Sequence, residues 1–222
     1  MKMKNHAAVA LTVMSVFLGC TLSSTTVEAG DDRWVVRATA LSMKPAGDSV
    51  VVDGDDDWSR YTADAEYGFG IDFEYRASRL LGIDFGILTA SPELEVVYDA
   101  APVITATAKL RITPVYGGLN VHLTPNSRFD LFIGPVVAYV VYSGFDLVVD
   151  PWFLTEEGFE SEADFGFGVN LGLDVRLGND GWLLTAGFRY LDTTLEASPP
   201  DEGTGSTAID PMIFSIGVGY RF

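Results

Sequence analysis

Cysteine is almost missing from this 222-residue sequence: Cys20 stands alone, so neither a disulfide framework nor a cysteine-based metal centre can be built. Histidine is nearly as scarce, with only His6 and His122, which leaves little for general-base chemistry. Basic side chains are in deficit, 14 Lys and Arg against 31 Asp and Glu, and the net charge of −17 repels phosphate backbones and argues against a nucleic-acid partner. After residue 30 no apolar run approaches the ~20 residues of a membrane-spanning helix. The best candidate, residues 131–145, is uncharged for 15 residues but carries Gly134 and Pro135 and reads as a strand.

Apolar residues, by contrast, are plentiful at 48%, which excludes disorder and supplies a sizeable buried surface. Lys2 and Lys4, an apolar stretch over residues 7–18 and the ending Val27-Glu28-Ala29 before Gly30 form the pattern of a secretory signal peptide, so residues 1–29 are expected to be cleaved. Lipidation at Cys20 is the competing reading, and Phe17-Leu18 fits that motif poorly. An exported chain without a spanning helix is either soluble or a closed β-barrel, since only a barrel satisfies strand backbones in lipid.

Alternation with period two decides between them. From residue 62 to 76, Ala63, Ala65, Tyr67, Phe69, Ile71, Phe73 and Tyr75 oppose Asp64, Glu66, Gly68, Gly70, Asp72, Glu74 and Arg76. Residues 165–177 and 212–222 repeat the pattern. The minority face is glycine mixed with charges of both signs, which suits a tight enclosed lumen better than a solvated sandwich face. Eight strands are expected, over residues 33–42, 62–75, 79–90, 104–123, 128–144, 164–177, 182–194 and 210–222. Tight turns at 76–78, 124–127 and 178–181 alternate with long connections at 43–61, 91–103, 145–163 and 195–209. The fold class is therefore all-β, an eight-stranded antiparallel transmembrane β-barrel of up-and-down topology, with both termini periplasmic. A bulge near Pro114 to Gly118 is expected to reverse the phase of the fourth strand. Trp34, Tyr75, Phe129, Trp182, Tyr220 and Phe222 fall near strand ends, where interfacial aromatic girdles belong.

Several segments resemble the outer membrane protein W (OmpW) family of eight-stranded outer-membrane barrels. They are Trp34-Val35-Val36-Arg37-Ala38, Gly82-Ile83-Asp84 leading to Thr89-Ala90-Ser91-Pro92, Tyr190-Leu191-Asp192-Thr193-Thr194, and Asp210-Pro211 followed by Gly217-Val218-Gly219-Tyr220-Arg221-Phe222. The resemblance implies the outer membrane of a Gram-negative cell and a narrow, partly apolar lumen that admits small hydrophobic molecules, with sideways exit into the membrane. Leu88, Phe132, Val136, Val140 and Leu191 take inward parity and would line such a path. The alternating end with Tyr220 and Phe222 is similar to the signal read by the barrel-assembly machinery.

Arg37, Asp72, Glu74, Arg76, Asp84, Lys109, Arg111, Asp174, Arg176, Arg189 and Arg221 also take inward parity. A mutually neutralising network that fills the interior is preferred to a selectivity gate. Catalysis is not expected, because His122 lies two residues from a turn and no G-x-S-x-G elbow occurs. Acidic clusters at Asp53, Asp55, Asp56 and Asp57, and at Glu156, Glu157, Glu160 and Glu162, read as solvated loop charge rather than a metal site, although divalent bridging to lipopolysaccharide phosphates is the alternative. No cofactor is expected. The expected partners are outer-membrane lipid, lipopolysaccharide and small hydrophobic solutes. The other reading is a structural or surface-interaction barrel without transport, serving envelope integrity, adhesion or phage and colicin reception.

Overall fold

The computed structural model describes residues 33–45, 59–98, 104–125, 127–150, 154–157, 163–197 and 205–222. They form β1 (Trp34–Pro45), β2 (Ser59–Ala63), β3 (Glu66–Arg76), β4 (Leu81–Ala90), β5 (Glu93–Tyr98), β6 (Ile104–His122) and β7 (Phe129–Asp150). These are followed by β8 (Leu154–Glu157), β9 (Asp164–Arg176), β10 (Trp182–Asp192), β11 (Thr194–Ala197), β12 (Gly205–Ala208) and β13 (Pro211–Arg221). Eight of them close a ring in the order β1, β3, β4, β6, β7, β9, β10, β13 and back to β1, every neighbour antiparallel. The seam between β1 and β13 runs from Val35 opposite Arg221 to Pro45 opposite Pro211. Beyond it, the amides of Trp34 and Phe222 each donate to the other's carbonyl at 2.9 Å.

Period-two sequences fold this way because one parity can meet lipid and the other a filled interior. The outer surface is accordingly greasy: Phe69, Ile71, Phe167, Leu171, Ile216 and Val218 are all exposed, Phe167 by 68%. A contiguous apolar surface of this extent is a membrane-contacting band. Aromatic pairs mark its two edges. Trp34 with Tyr75 (5.0 Å between centroids) and Trp182 with Tyr220 (5.2 Å) lie at the tight-turn end, and Phe188 with Phe214 (4.9 Å) and Tyr139 with Phe165 (5.1 Å) lie further along. Six residues separate Trp182 from Phe188, about 20 Å of strand, close to the ~25 Å height of an outer-membrane apolar band.

The turn between β9 and β10 closes with the Leu177 amide donating to the Trp182 carbonyl at 2.9 Å. Gly178 and Gly181 there have φ of +79° and +80°, a region that side chains disfavour. Inside the barrel, Gly172 lets the Phe132 ring lie against its backbone, where a Cβ would overlap the ring.

Two expectations are corrected. The connections at 43–61, 91–103, 145–163 and 195–209 are partly strand: β2 pairs with β5, β5 with β6, β7 with β8, and β11 with β12. Greasy alternation lapses beyond the lipid band, but runs such as Val96-Val97 and Val148-Val149 still favour extended backbone. The bulge is also displaced. Lys109 faces Asp146 whereas Arg111 faces Ser143, so the extra residue belongs to β7 rather than to Pro114–Gly118. Pro114 interrupts the β4–β6 ladder between Ile87 opposite Val115 and Ala90 opposite Ile112 without changing phase, and Thr89 and Thr113 meet there through their hydroxyls at 3.2 Å.

Candidate functional site: the filled lumen

Parity sends every second side chain into the cylinder, and the interior is stacked in layers from the turn end upward. The lowest is a buried ionic plug. Arg37 donates through Nε and Nη2 to both oxygens of Asp174 at 3.1 and 2.7 Å, and Nη2 also reaches Glu74 at 2.5 Å. Arg76 contacts Glu74 through Nε at 3.0 Å and donates through Nη1 to Asp130 at 2.6 Å. His122 sits between the same two acids, with Nε2 at 2.8 Å from Glu74 and Nδ1 at 3.1 Å from Asp130. Glu74 and His122 are wholly buried, so these charges are shielded only by one another.

Above the plug the contacts loosen. Arg189 stands 3.4 Å from Asp72 and 3.6 Å from Asp84, and its guanidinium stacks 3.7 Å from the centre of the Tyr116 ring. Gly86 leaves the room that the Tyr116 hydroxyl needs. The amide of Asn170 donates to that of Asn120 at 3.2 Å. A cavity of about 20 Å³, lined by Arg37, Asp72, Asp84, Arg189 and Ser215 among others, has room for little more than water. The third layer is apolar. Leu41, Met43, Leu88, Ile112, Val136, Val140, Leu191 and Ile213 pack together, and beside them the Tyr142 hydroxyl donates to Thr193 Oγ1 at 3.0 Å.

Leu88, Val136, Val140 and Leu191 thus share the apolar layer, while Phe132 lies lower, against Gly172, with Arg37 over its ring at 5.1 Å. Arg37, Asp72, Glu74, Asp84, Asp174 and Arg189 are all buried in the two polar layers. Arg176 stands apart from the carboxylates: it is half-buried and its Nη2 donates to the Pro125 carbonyl at 2.7 Å. Arg111 does not belong to the interior. It is exposed on the outer face, because β6 keeps one phase from Leu110 to His122 and the odd-numbered residues, Leu119 and Val121 included, all face outward. The side chain of Lys109 lies outside the described residues, as do Asp53, Asp55, Asp56, Asp57, Glu160, Glu162 and the side chains of Glu156 and Glu157. Among the described residues no group of three or more His, Cys, Asp or Glu is arranged to hold a metal ion.

Asp130, Asn120 and Asn170 were not among the candidate site residues and His122 had no role, although Asn170 stands on the inward parity of residues 165–177. Asp130 shares parity with Phe132 and Val136 and was open to discovery on that ground. Asn120 and His122 are inward under the expected phase change as well, since it sets Leu119 and Val121 outward, but nothing in β6 alone marks their partners on other strands.

Residues 15–222 match the family described as outer membrane protein beta-barrel domain. Among solved structures, the outer membrane protein OprG from Pseudomonas aeruginosa is 20% identical over 85% of this chain and 95% of its own, with a TM-score of 0.63. The outer membrane protein AlkL, solved in lipid bilayers, is 18% identical over 90% and 94%, with a TM-score of 0.58. Neisserial surface protein A is 15% identical over 85% and 97%, with a TM-score of 0.54. No curated relative matches the sequence. A closed eight-stranded cylinder with a greasy exterior, matched along nearly its whole length by that family, identifies the chain as a member of the outer membrane protein beta-barrel domain family, an outer-membrane barrel that shares the fold of OprG and AlkL.

Proposed function

We propose that the barrel captures small hydrophobic molecules at the long-strand end and passes them toward the membrane. The observation that carries this reading is the apolar layer of Leu88, Val136, Val140 and Leu191 stacked directly above polar ones, in a class of barrel whose interiors are otherwise polar. The ionic plug beneath leaves no straight path for a solute, so the exit in this reading is sideways through the wall into lipid. Tight turns and the first and last described residues, Arg33 and Phe222, share one end of the cylinder, which under the general pattern is the periplasmic one. In the same proposal residues 1–29 are removed on export, Tyr220 and Phe222 are read by the barrel-assembly machinery, and lipopolysaccharide surrounds the opposite rim.

The test fills the layer. Val140→Trp should lower uptake of a small hydrophobic probe into barrel-containing liposomes by about tenfold, since the indole exceeds the space a valine leaves. Unchanged uptake by a folded variant would overturn transport.

A second reading, a surface-interaction barrel, is favoured by β5, β6, β7 and β8, which continue the sheet past the apolar band. Excising residues 46–58 and 158–162 should abolish surface binding while sparing lumen-dependent uptake.

A further inference from the structure

The four strands that run toward the turn end, β3, β6, β9 and β13, finish on Arg76, His122, Arg176 and Arg221. All four take inward parity, so they ring the mouth of the lumen there. The facing strands offer Val35, Gly82, Asp130 and Leu183 as their first buried residues, a single carboxylate against four nitrogen bases. That carboxylate is already engaged by Arg76 and His122. Arg221 comes no nearer to Asp130 than 3.8 Å, too far for a hydrogen bond. Its Nε and Nη2 are buried and have no hydrogen-bond partner among the described residues, and the same holds for Nε of Arg176 and Nη2 of Arg76. Glu74 and Asp174, deeper in the plug, are occupied by Arg37, Arg76 and His122. At the other side of the plug the imbalance reverses, with Arg189 alone between Asp72 and Asp84.

Buried guanidinium N–H groups without acceptors are costly, and planar guanidinium forks match oxyanions in pairs. Rings of arginine at a pore mouth are the arrangement that recognises anions and phosphate. We propose that this mouth is an oxyanion site, held by Arg176 and Arg221 with Arg76 behind them, that takes a phosphate group from a free anion or from a phospholipid headgroup. The site is independent of solute capture, since it lies on the far side of the plug from the apolar layer.

The experiment uses the full chain refolded in maltoside micelles and titrated with inorganic phosphate at constant ionic strength, followed by phosphorus NMR. Saturable binding is expected, and Arg176→Gln and Arg221→Gln should each weaken it by about tenfold, the loss of a charge-assisted pair. Arg111→Gln, on the outer face, should leave it unchanged. Folding of each variant is checked by its heat-dependent gel mobility. Should Arg221→Gln fail to fold, Arg176→Gln and Arg221→Lys carry the test, the lysine retaining charge while losing the fork. Repeating the titration in bilayers with and without phosphatidylglycerol separates the sources: competition identifies a headgroup, and indifference identifies an aqueous anion. Absence of saturation, or wild-type affinity in both glutamine variants, would overturn the site.

Discussion

Arg37 and Asp174 are joined by two parallel hydrogen bonds across the interior, from strands that are not neighbours in the sheet. Removing Asp174 leaves Arg37 with Glu74 alone, which Arg76 and His122 already share, in a medium that cannot solvate the excess charge. Asp174→Asn should destabilise the folded barrel by about 3 to 5 kcal/mol. The double change Arg37→Met with Asp174→Leu should cost less than either single one, because no ion is left unpaired. Urea unfolding in lipid vesicles measures the single and double variants, and additive losses would refute the pairing.

Phe132 occupies the space where a side chain at position 172 would go. Gly172→Ala should therefore displace the ring and cost about 1 to 3 kcal/mol. Phe132→Leu should relieve part of that loss, since the shorter side chain withdraws from the new methyl group. A double-mutant cycle in the same unfolding assay reads the coupling.

Arg111 and Arg189 carry the same charge in opposite settings. Near the rim of the lipid-facing surface an arginine is worth about 0 to 1 kcal/mol either way, so Arg111→Leu should be close to neutral. Arg189→Leu leaves Asp72 and Asp84 without their cation and should cost at least about 2 kcal/mol. Equal effects would return Arg111 to the interior.

Tyr142→Phe removes the hydroxyl that donates to Thr193 in the apolar layer. The expected loss is about 1 kcal/mol, with the orphaned Thr193 hydroxyl supplying much of it. Thr193→Val in the same background should recover stability, because both polar partners are then gone.

Much of this fold was legible because period two is a two-state signal: a residue such as Phe73 or Glu74 has only lipid or lumen to face. The charges on β3, β4 and β9 followed directly from that rule. It faltered on β6, where Pro114 and Gly117-Gly118 suggest a defect, yet the proline costs one stretch of ladder and leaves the phase intact. The error moved Arg111 inside, while the far half of the strand, His122 included, keeps the same inward parity either way. The real bulge has no comparable punctuation on β6 itself, since the additional residue sits on the partner strand. Pairing within the lumen was beyond parity altogether. That Asp130 serves Arg76 and His122 at once depends on how three strands are staggered around the cylinder, and stagger is set by the whole ring rather than by any one segment.

The mutual hydrogen bonds of Trp34 and Phe222 tie the first described strand to the last. A cylinder sealed this way has the longest possible sequence separation at its final join, so two raw edges persist until every other hairpin has zipped. Insertion is then a race in which the ends must find each other before either recruits a stranger, and the closing latch is the last event of folding rather than its seed.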